Sequence, residues 1–437
     1  MKKLFFFTLL FLLWGQRDFA QGDFTRIYHP IINSAELAIV DTNYYEALDY
    51  YKAAFDNVKK PFAKDYYNAA ICAAMLGKTN TVLDYLEKIV EKGYPSDSLR
   101  RDVFFHYVAD TCKAWGKFES QMRLVKPNIN WAVRDSLNTY YYLIIKEPYT
   151  PLTAELRSFY KENTKKIQDS VVVKSGKTGK KEVFTQVIFP DSLTYYYGKM
   201  PEKLIKQLDS LRKINDLKGS NYMRWAFQKT LDLIEIYGFP DETMVGLTGF
   251  DTGYLKRNRN RVFFQHSFNT SILDRNLAIS ILGSSPYTYG KDLSPILIQA
   301  IRDGKLAPHQ ISRVGNTVLE MNNKNTENTP NFYSMGKVNV LQYRLDENFN
   351  CENKLLKGKE DKKFWKKEQF PFYSEAEINE KRLDIGLEIL ADAYKKAFFK
   401  AYPRVFIING GTYQSELAYV SSCDILEKML KESTLVR

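Results

Sequence analysis

Tyr66, Ala69, Ala70 and Ala73 fall on one helical face ahead of Gly77, and Val82, Leu86 and Ile89 repeat the three- and four-residue spacing after it. Bulky then small residues on one helix, a glycine at the turn and an apolar stripe on the next helix predict a closely packed helix pair. Ala47, Tyr51 and Ala54 precede Val82, Leu86 and Ile89 by 35 residues each, which marks a diverged earlier copy. A weaker third copy runs through Phe105, Val108, Ala109, Cys112, Gly116 and Phe118, and the 39-residue offset from Gly77 to Gly116 implies an insertion around Tyr94 to Arg100.

A period of about 34 residues is the mark of paired-helix solenoids. Residues 30 to 128 resemble the tetratricopeptide repeat, most closely in the copy that starts at Ala63. The resemblance implies a curved stack whose concave face docks a peptide or a protein partner. A stack can equally serve as packing for a neighbouring domain, and both readings stay open here.

Beyond the repeats, Trp131 to Lys166 reads as helix interrupted at Pro148 and Pro151, a connector. The period then shortens, and Val171 to Val173 with Val183 to Phe189 predict a hairpin around a Lys- and Gly-rich turn. Gly176-Lys177-Thr178 in that turn is no phosphate loop, because Val171 stands where the leading glycine is needed and no helix follows. Asp-Ser-Leu or Asp-Ser-Val triplets at 97, 135, 169, 191 and 209 resemble a short O-glycosylation pattern, but Asp and Ser are also ordinary cap and turn residues.

An amphipathic helix is predicted over Asn221 to Tyr237, stopped by Gly238 with Pro240 behind it. Three more follow at Ile272 to Leu282, Ser294 to Arg302 closed by Gly304, and Pro308 to Met321. Ser374 with Glu377 has capping-box spacing ahead of a helix through Leu383, Leu387, Leu390 and Tyr394. Arg404 to Ile408 and Tyr413 to Val420 around Asn409-Gly410-Gly411 predict a terminal hairpin, with a short helix from Cys423.

Tyr237-Gly238-Phe239-Pro240 with Val245-Gly246, Gln265-His266, Gly304 to Pro308, Tyr333-Ser334-Met335-Gly336, and Asn379 to Arg382 with Ile385-Gly386-Leu387 resemble a domain of unknown function of exported Gram-negative proteins, often placed after helical repeats. A basic insertion at 354–367 departs from that pattern, as does the lack of an Asp-Gln pair near Asn215. The family has no established activity, so the resemblance implies architecture and location only. The expected fold is mainly α: a helical-repeat, tetratricopeptide-like solenoid followed by an α-rich α+β domain with short hairpins. Its divisions are a signal peptide at 1–20, repeats at 21–130, a connector at 131–200 with a hairpin near 170–189, the α-rich domain at 201–400, and a hairpin and helix at 401–437.

Lys2 and Lys3 ahead of the apolar stretch Leu4 to Trp14 read as a secretory signal peptide with cleavage after Ala20. The expected location is therefore exported: periplasmic, surface-associated or secreted. No later run has the apolar length of a membrane helix, so no transmembrane segment is expected in the mature chain. A net charge of +12 favours anionic contacts, and export turns the expectation from nucleic acid toward an anionic glycan or lipid surface beside a protein partner held by the repeats. A solvated basic surface explains the same charge. Cys72 and Cys112 lie on apolar helix positions and read as buried thiols, whereas Cys351 and Cys423 could pair in an oxidising compartment.

The 437 residues contain four histidines and no metal-binding or nucleophile motif, so no cofactor or metal is expected and no reaction is named. His266, flanked by Gln265, is the candidate acid/base of an alternative reading, an envelope hydrolase-like enzyme, with Asp241, Glu242 or Asp251 available to orient it. His309 at a helix start reads as exposed, and His29 and His106 as packed. Tyr237, Gly238 and Pro240 form a candidate motif. Lys256, Arg257 and Arg259, together with Lys362, Lys363, Trp365 and Lys366 of the insertion, are candidate anionic contacts. The insertion also reads as a solvated loop. The leading expectation is an exported binding or scaffold protein of the cell envelope.

Overall fold

The computed structural model describes residues 22–102, 104–146, 150–166, 186–189, 192–196, 200–247, 273–274, 276–284, 291–311, 314, 337–345, 363–367, 374–400, 405–409, 412–420, 428 and 434–435. It is mainly helical. The expected signal segment, the expected hairpin strand at 171–173, the turn expected at Gly176-Lys177-Thr178, Gln265 and His266, Lys256, Arg257 and Arg259, Lys362, and both Cys351 and Cys423 lie outside the described residues.

The amino-terminal third is a succession of short helices: α1 (Phe24–Ile27), α2 (His29–Val40), α3 (Tyr44–Asp56), α4 (Ala63–Met75), α5 (Thr79–Glu91), α6 (Ser96–Arg100), α7 (Phe105–Thr111) and α8 (Trp115–Met122). The pairs α2/α3 and α4/α5 each pack together, and α3 packs on α4. Ala47, Tyr51, Ala54, Ala69, Ala70, Ala73, Val82, Leu86 and Ile89 are all buried in one core, as their spacing predicts. Gly77 ends α4 in the left-handed region at φ +69°, and the Lys78 amide bonds the Ala73 carbonyl 2.9 Å away. Gly116 has no such role; it lies inside α8. The segment Tyr94 to Arg100, expected as an insertion, holds α6.

Next come α9 (Trp131–Lys146), α10 (Ala154–Asn163), α11 (Glu202–Tyr237), α12 (Glu242–Val245), α13 (Leu277–Leu282), α14 (Ser294–Arg302), α15 (Glu375–Asp384) and α16 (Leu390–Lys400). At 36 residues α11 far exceeds the predicted helix and spans about 54 Å. Its early part joins α10 through Leu204, Leu156 and Tyr160, while Ala226, Phe227 and Ile234 enter a second core with Val133 and Leu137 of α9 and Ile279 and Leu282 of α13. The helix predicted over Ile272 to Leu282 is shorter than expected, because Asn276 accepts the Ile279 amide and caps α13. Of Pro308 to Met321 the described part opens with one 3-10 turn, Pro308–Gln310.

Among the described residues the strands form two small sheets. In the first, β1 (Thr164–Lys166) and β2 (Gln186–Phe189) flank β3 (Ser192–Tyr196). The second has the order β6-β4-β5-β7, from β4 (Lys337–Leu345), β5 (Lys363–Lys367), β6 (Thr412–Val420) and β7 (Thr434–Leu435). Here three expectations are corrected. Lys363, Trp365 and Lys366 belong to an inner strand rather than a loop, with Trp365 in register with Val340 and Thr434. The described residues form no terminal hairpin: β6 pairs in parallel with β4, and α16 packs against both. Residues 405–409 form no strand because Asn68 occupies their backbone, donating to the Ile407 carbonyl (2.7 Å) and accepting the Ile407 amide (2.9 Å).

The third correction concerns the helix expected through Leu383 to Tyr394, which breaks into α15 and α16. Gly386 takes φ +78°, and the Leu387 amide returns to the Arg382 carbonyl at 2.9 Å, a helix-ending motif that favours glycine. The capping box at Ser374 and Glu377 is formed in full. Of the Asp-Ser triplets, those at 97, 135 and 209 sit within helices, where Ser136 and Ser210 bond carbonyls one turn back, so neither serine is a cap.

Candidate functional site

The most concentrated chemistry is an ion chain sealed between the amino-terminal helices and the segment 382–409. Lys64 on α4 bridges Asp65 and Glu36, with Glu36 Oε1 3.0 Å away. Glu36 Oε2 lies 2.7 Å from Lys396 Nζ, Lys396 is 3.7 Å from Glu388, and Arg382 reaches Glu388 at 3.1 Å. Asp65, Lys64, Glu36, Lys396, Glu388 and Arg382 thus alternate in sign and balance. All six are buried. Tyr28 closes one end: its hydroxyl donates to Asp65 Oδ2 at 2.6 Å and accepts the Phe62 amide at 3.1 Å. The Asn409 amide adds a bond to Glu36 Oε1 at 3.1 Å.

Burial and charge compete throughout this chain. For Glu36 burial pushes the carboxyl up, but Lys396 and Lys64 together outweigh it and hold the group at about 2. Lys64 is pushed down by burial yet ends above its ordinary value because Asp65 and Glu36 flank it. In Asp65 burial prevails over Lys64 and raises the carboxyl, whereas Glu388 is lowered because Lys396 and Arg382 overcome its burial. Lys400, on the same helix as Lys396, is lowered by burial to about 8 despite Glu36 and Glu388.

Beside the chain lie two histidines. His309 Nε2 is 2.9 Å from Asp274 Oδ1, so His309 is half-buried in a carboxylate pair, contrary to the exposed position expected. His29 is buried against Phe24, Tyr28 and Phe62, and burial followed by Lys64 lowers it to about 3, which keeps it neutral. His106, expected to pack, is exposed. The fourth histidine, His266, is the acid/base of the hydrolase-like reading and is not among the described residues. Among those residues, no three His, Cys, Asp or Glu side chains converge as metal ligands, and no helix is long and apolar enough to cross a membrane. Cys72 is buried as expected, while Cys112, at the end of α7, is only half-buried.

Tyr237, Gly238 and Pro240 lie at a second seam. Tyr237 is exposed, Gly238 ends α11 at φ +76°, and the Pro240 carbonyl accepts Asn276 Nδ2 at 2.8 Å. Asp241 then caps α12, accepting the Thr243 and Met244 amides, which aims Glu242 at α4 and the end of α5. Glu242 Oε1 accepts the Ala63 amide at 2.8 Å and Lys92 Nζ at 2.7 Å. Backbone bonds from Leu247 to Lys92 (2.9 Å) and from Asn130 to Met244 (2.7 Å) complete the seam. The motif therefore acts through its backbone and its turn, positioning Glu242. Next to it opens a cleft of about 410 Å³, with Lys59, Lys60, Lys88 and Lys92 on its walls.

The ion chain leaves little trace in the sequence. Glu36 offered a signal, since it stands between Ala35 and Ala38 on an otherwise apolar face, and a charge there needs a buried partner. Nothing local points from Glu36 to Lys396. Comparison of the chain with protein-family models, with curated proteins and with solved structures finds no match.

Proposed function

We propose that this chain is an exported binding or scaffold protein of the bacterial cell envelope, in which a tetratricopeptide-like solenoid braces an α-rich α+β domain. The observation that carries the reading is the ion chain from Asp65 to Arg382. A free-standing peptide-docking module has no use for four fully desolvated charges on Lys64, Glu36, Lys396 and Glu388, whose value is to hold one packing of two parts of a chain. The repeats accordingly act first as packing for the later helices, and a protein partner engages the surface the two parts present together. Lys2 and Lys3 ahead of the apolar stretch Leu4 to Trp14, with the resemblance to exported proteins, support a partner outside the cytoplasm, and the basic balance favours an anionic glycan or lipid there.

Two measurements test this. Fractionation of cells making the chain with and without residues 1–20 should send only the longer form to the envelope; retention of both in the cytosol overturns the location. Calorimetric unfolding of the full chain should show the amino-terminal helices and α16 melting in one transition, reported by probes on α4 and α16. Two independent transitions overturn the bracing role.

A further inference from the structure

We propose that the cleft beside Glu242 is a binding site for an anionic sugar unit, a hexose-sized ring carrying a phosphate or a carboxylate. It extends the binding reading above but rests on its own geometry, and it stands whether or not the chain is exported.

Three parts of the molecule build the cleft. Lys59 and Lys60 come from the α3–α4 connection, Lys88 and Lys92 from the end of α5, and Glu242 with Thr243 from α12. Its two carboxylates, Glu91 and Glu242, are matched by Lys88 and Lys92, and Lys60 adds a positive surplus in the recess. Lys88 is paired with Glu91 at 3.0 Å and Lys92 with Glu242 at 2.7 Å, whereas Lys60 is held by the neutral Thr243 hydroxyl at 3.2 Å. Glu242 shows how an anion is received here: one carboxylate oxygen takes both the Ala63 amide, at the start of the 13-residue α4, and the Lys92 ammonium. An oxyanion entering from solvent meets the ammonium groups of the outer lysines as Glu242 meets that of Lys92.

The rest of the lining selects what carries the charge. A volume of about 410 Å³ lies in the range of small-molecule sites and suits one or two sugar rings. Asn128 and Thr243 offer donors and acceptors for hydroxyls, and Tyr66 brings an aromatic side chain into the lining beside which a pyranose can pack. Tyr66 is itself fixed, 4.5 Å from the Phe55 ring centroid and 5.9 Å from Tyr85. With lysines and no arginine on the walls, the anion is read as charge and not as a planar bidentate group, so phosphate and carboxylate sugars both qualify.

The test is titration calorimetry on the purified full chain with glucose 6-phosphate, galacturonate, glucose, inorganic phosphate, and vesicles of phosphatidylglycerol. Saturable binding of either anionic sugar, with glucose silent and phosphate at least tenfold weaker, supports the site. The Lys60→Glu and Lys88→Glu variants, both at exposed positions, should each weaken the sugar about tenfold while melting as the parent does. Lys60→Gln, which removes charge without reversing it, should fall between. No saturable sugar binding, equal binding in the variants, phosphate as tight as the sugar phosphate, or binding to vesicles alone overturns the proposal.

Discussion

Lys396 Nζ lies 2.7 Å from Glu36 Oε2, joining side chains 360 positions apart, and both are shut away from water. Neutralising one partner strands the other's charge in the core, a loss of about 3–5 kcal/mol. Lys396→Met should therefore lower the urea midpoint of the full chain steeply. Glu36→Gln together with Lys396→Met leaves Lys64 paired to Asp65, and should cost less than the two single changes added. A double-mutant cycle by urea unfolding reads the difference, and additivity within about 0.5 kcal/mol would contradict a direct coupling.

The same carboxylate sets an acid limb. Glu36 falls from an ordinary 4.5 in the unfolded chain to about 2 in the fold, so as pH drops the unfolded chain binds the proton first. Its contribution is complete above about pH 4.5 and is lost as pH falls through 2, an amount of about 3 kcal/mol. Glu388 is lowered too and acts in the same sense, while Asp65, raised by burial, acts in the opposite one. The stability gap between the parent and Glu36→Gln isolates the first of these. It should narrow between pH 5 and pH 2, as followed by denaturant unfolding at each pH; a constant gap would exclude the linkage.

Local periodicity was enough to find the helices whose ends carry their own signals. Ser294 to Arg302 with Gly304, the stop at Gly238, and the Ser374–Glu377 box match the structure because caps and left-handed glycines act within one turn. Where distant residues decide, the pattern misleads. The 405–409 segment looks like a strand until Asn68 takes its backbone groups, and β6 finds β4 some seventy residues earlier and not its neighbour. The ion chain and the lysine cleft are of this second kind. Apart from Glu36 on its apolar face, each charge in them has an ordinary local reading; the packing of α2, α4, α15 and α16 assembles the ion chain, and that of α4, α5 and α12 the cleft.

Two glycines with like backbones should respond differently to the same change. Gly77 (φ +69°) has open space where a Cβ would go, so Gly77→Ala costs only left-handed strain, about 1–2 kcal/mol. At Gly386 (φ +78°) that carbon would sit 3.0 Å from both His29 Cβ and Thr25 Cα, adding a backbone clash. Gly386→Ala should cost at least about 1 kcal/mol more and should loosen α1, raising hydrogen exchange at residues 24–28. Equal thermal shifts for the two variants would remove the close approach of the amino-terminal helix to this turn.

Glu242 serves both the seam and the cleft, and its substitutions should separate these roles. Glu242→Ala abandons the Ala63 amide and Lys92 together, for a cost of about 2–3 kcal/mol. Glu242→Gln keeps a carbonyl for the Ala63 amide and loses only the charge, so it should cost about half as much. Exchange of the Ala63 amide should rise in the alanine variant alone, while α13 amides stay protected in both. Because the glutamine variant also removes one of the two carboxylates in the lining, it should bind glucose 6-phosphate more tightly than the parent does. A glutamine variant that kept its stability and lost the anion would mean that Glu242 contacts the ligand and is not a fixed part of the wall.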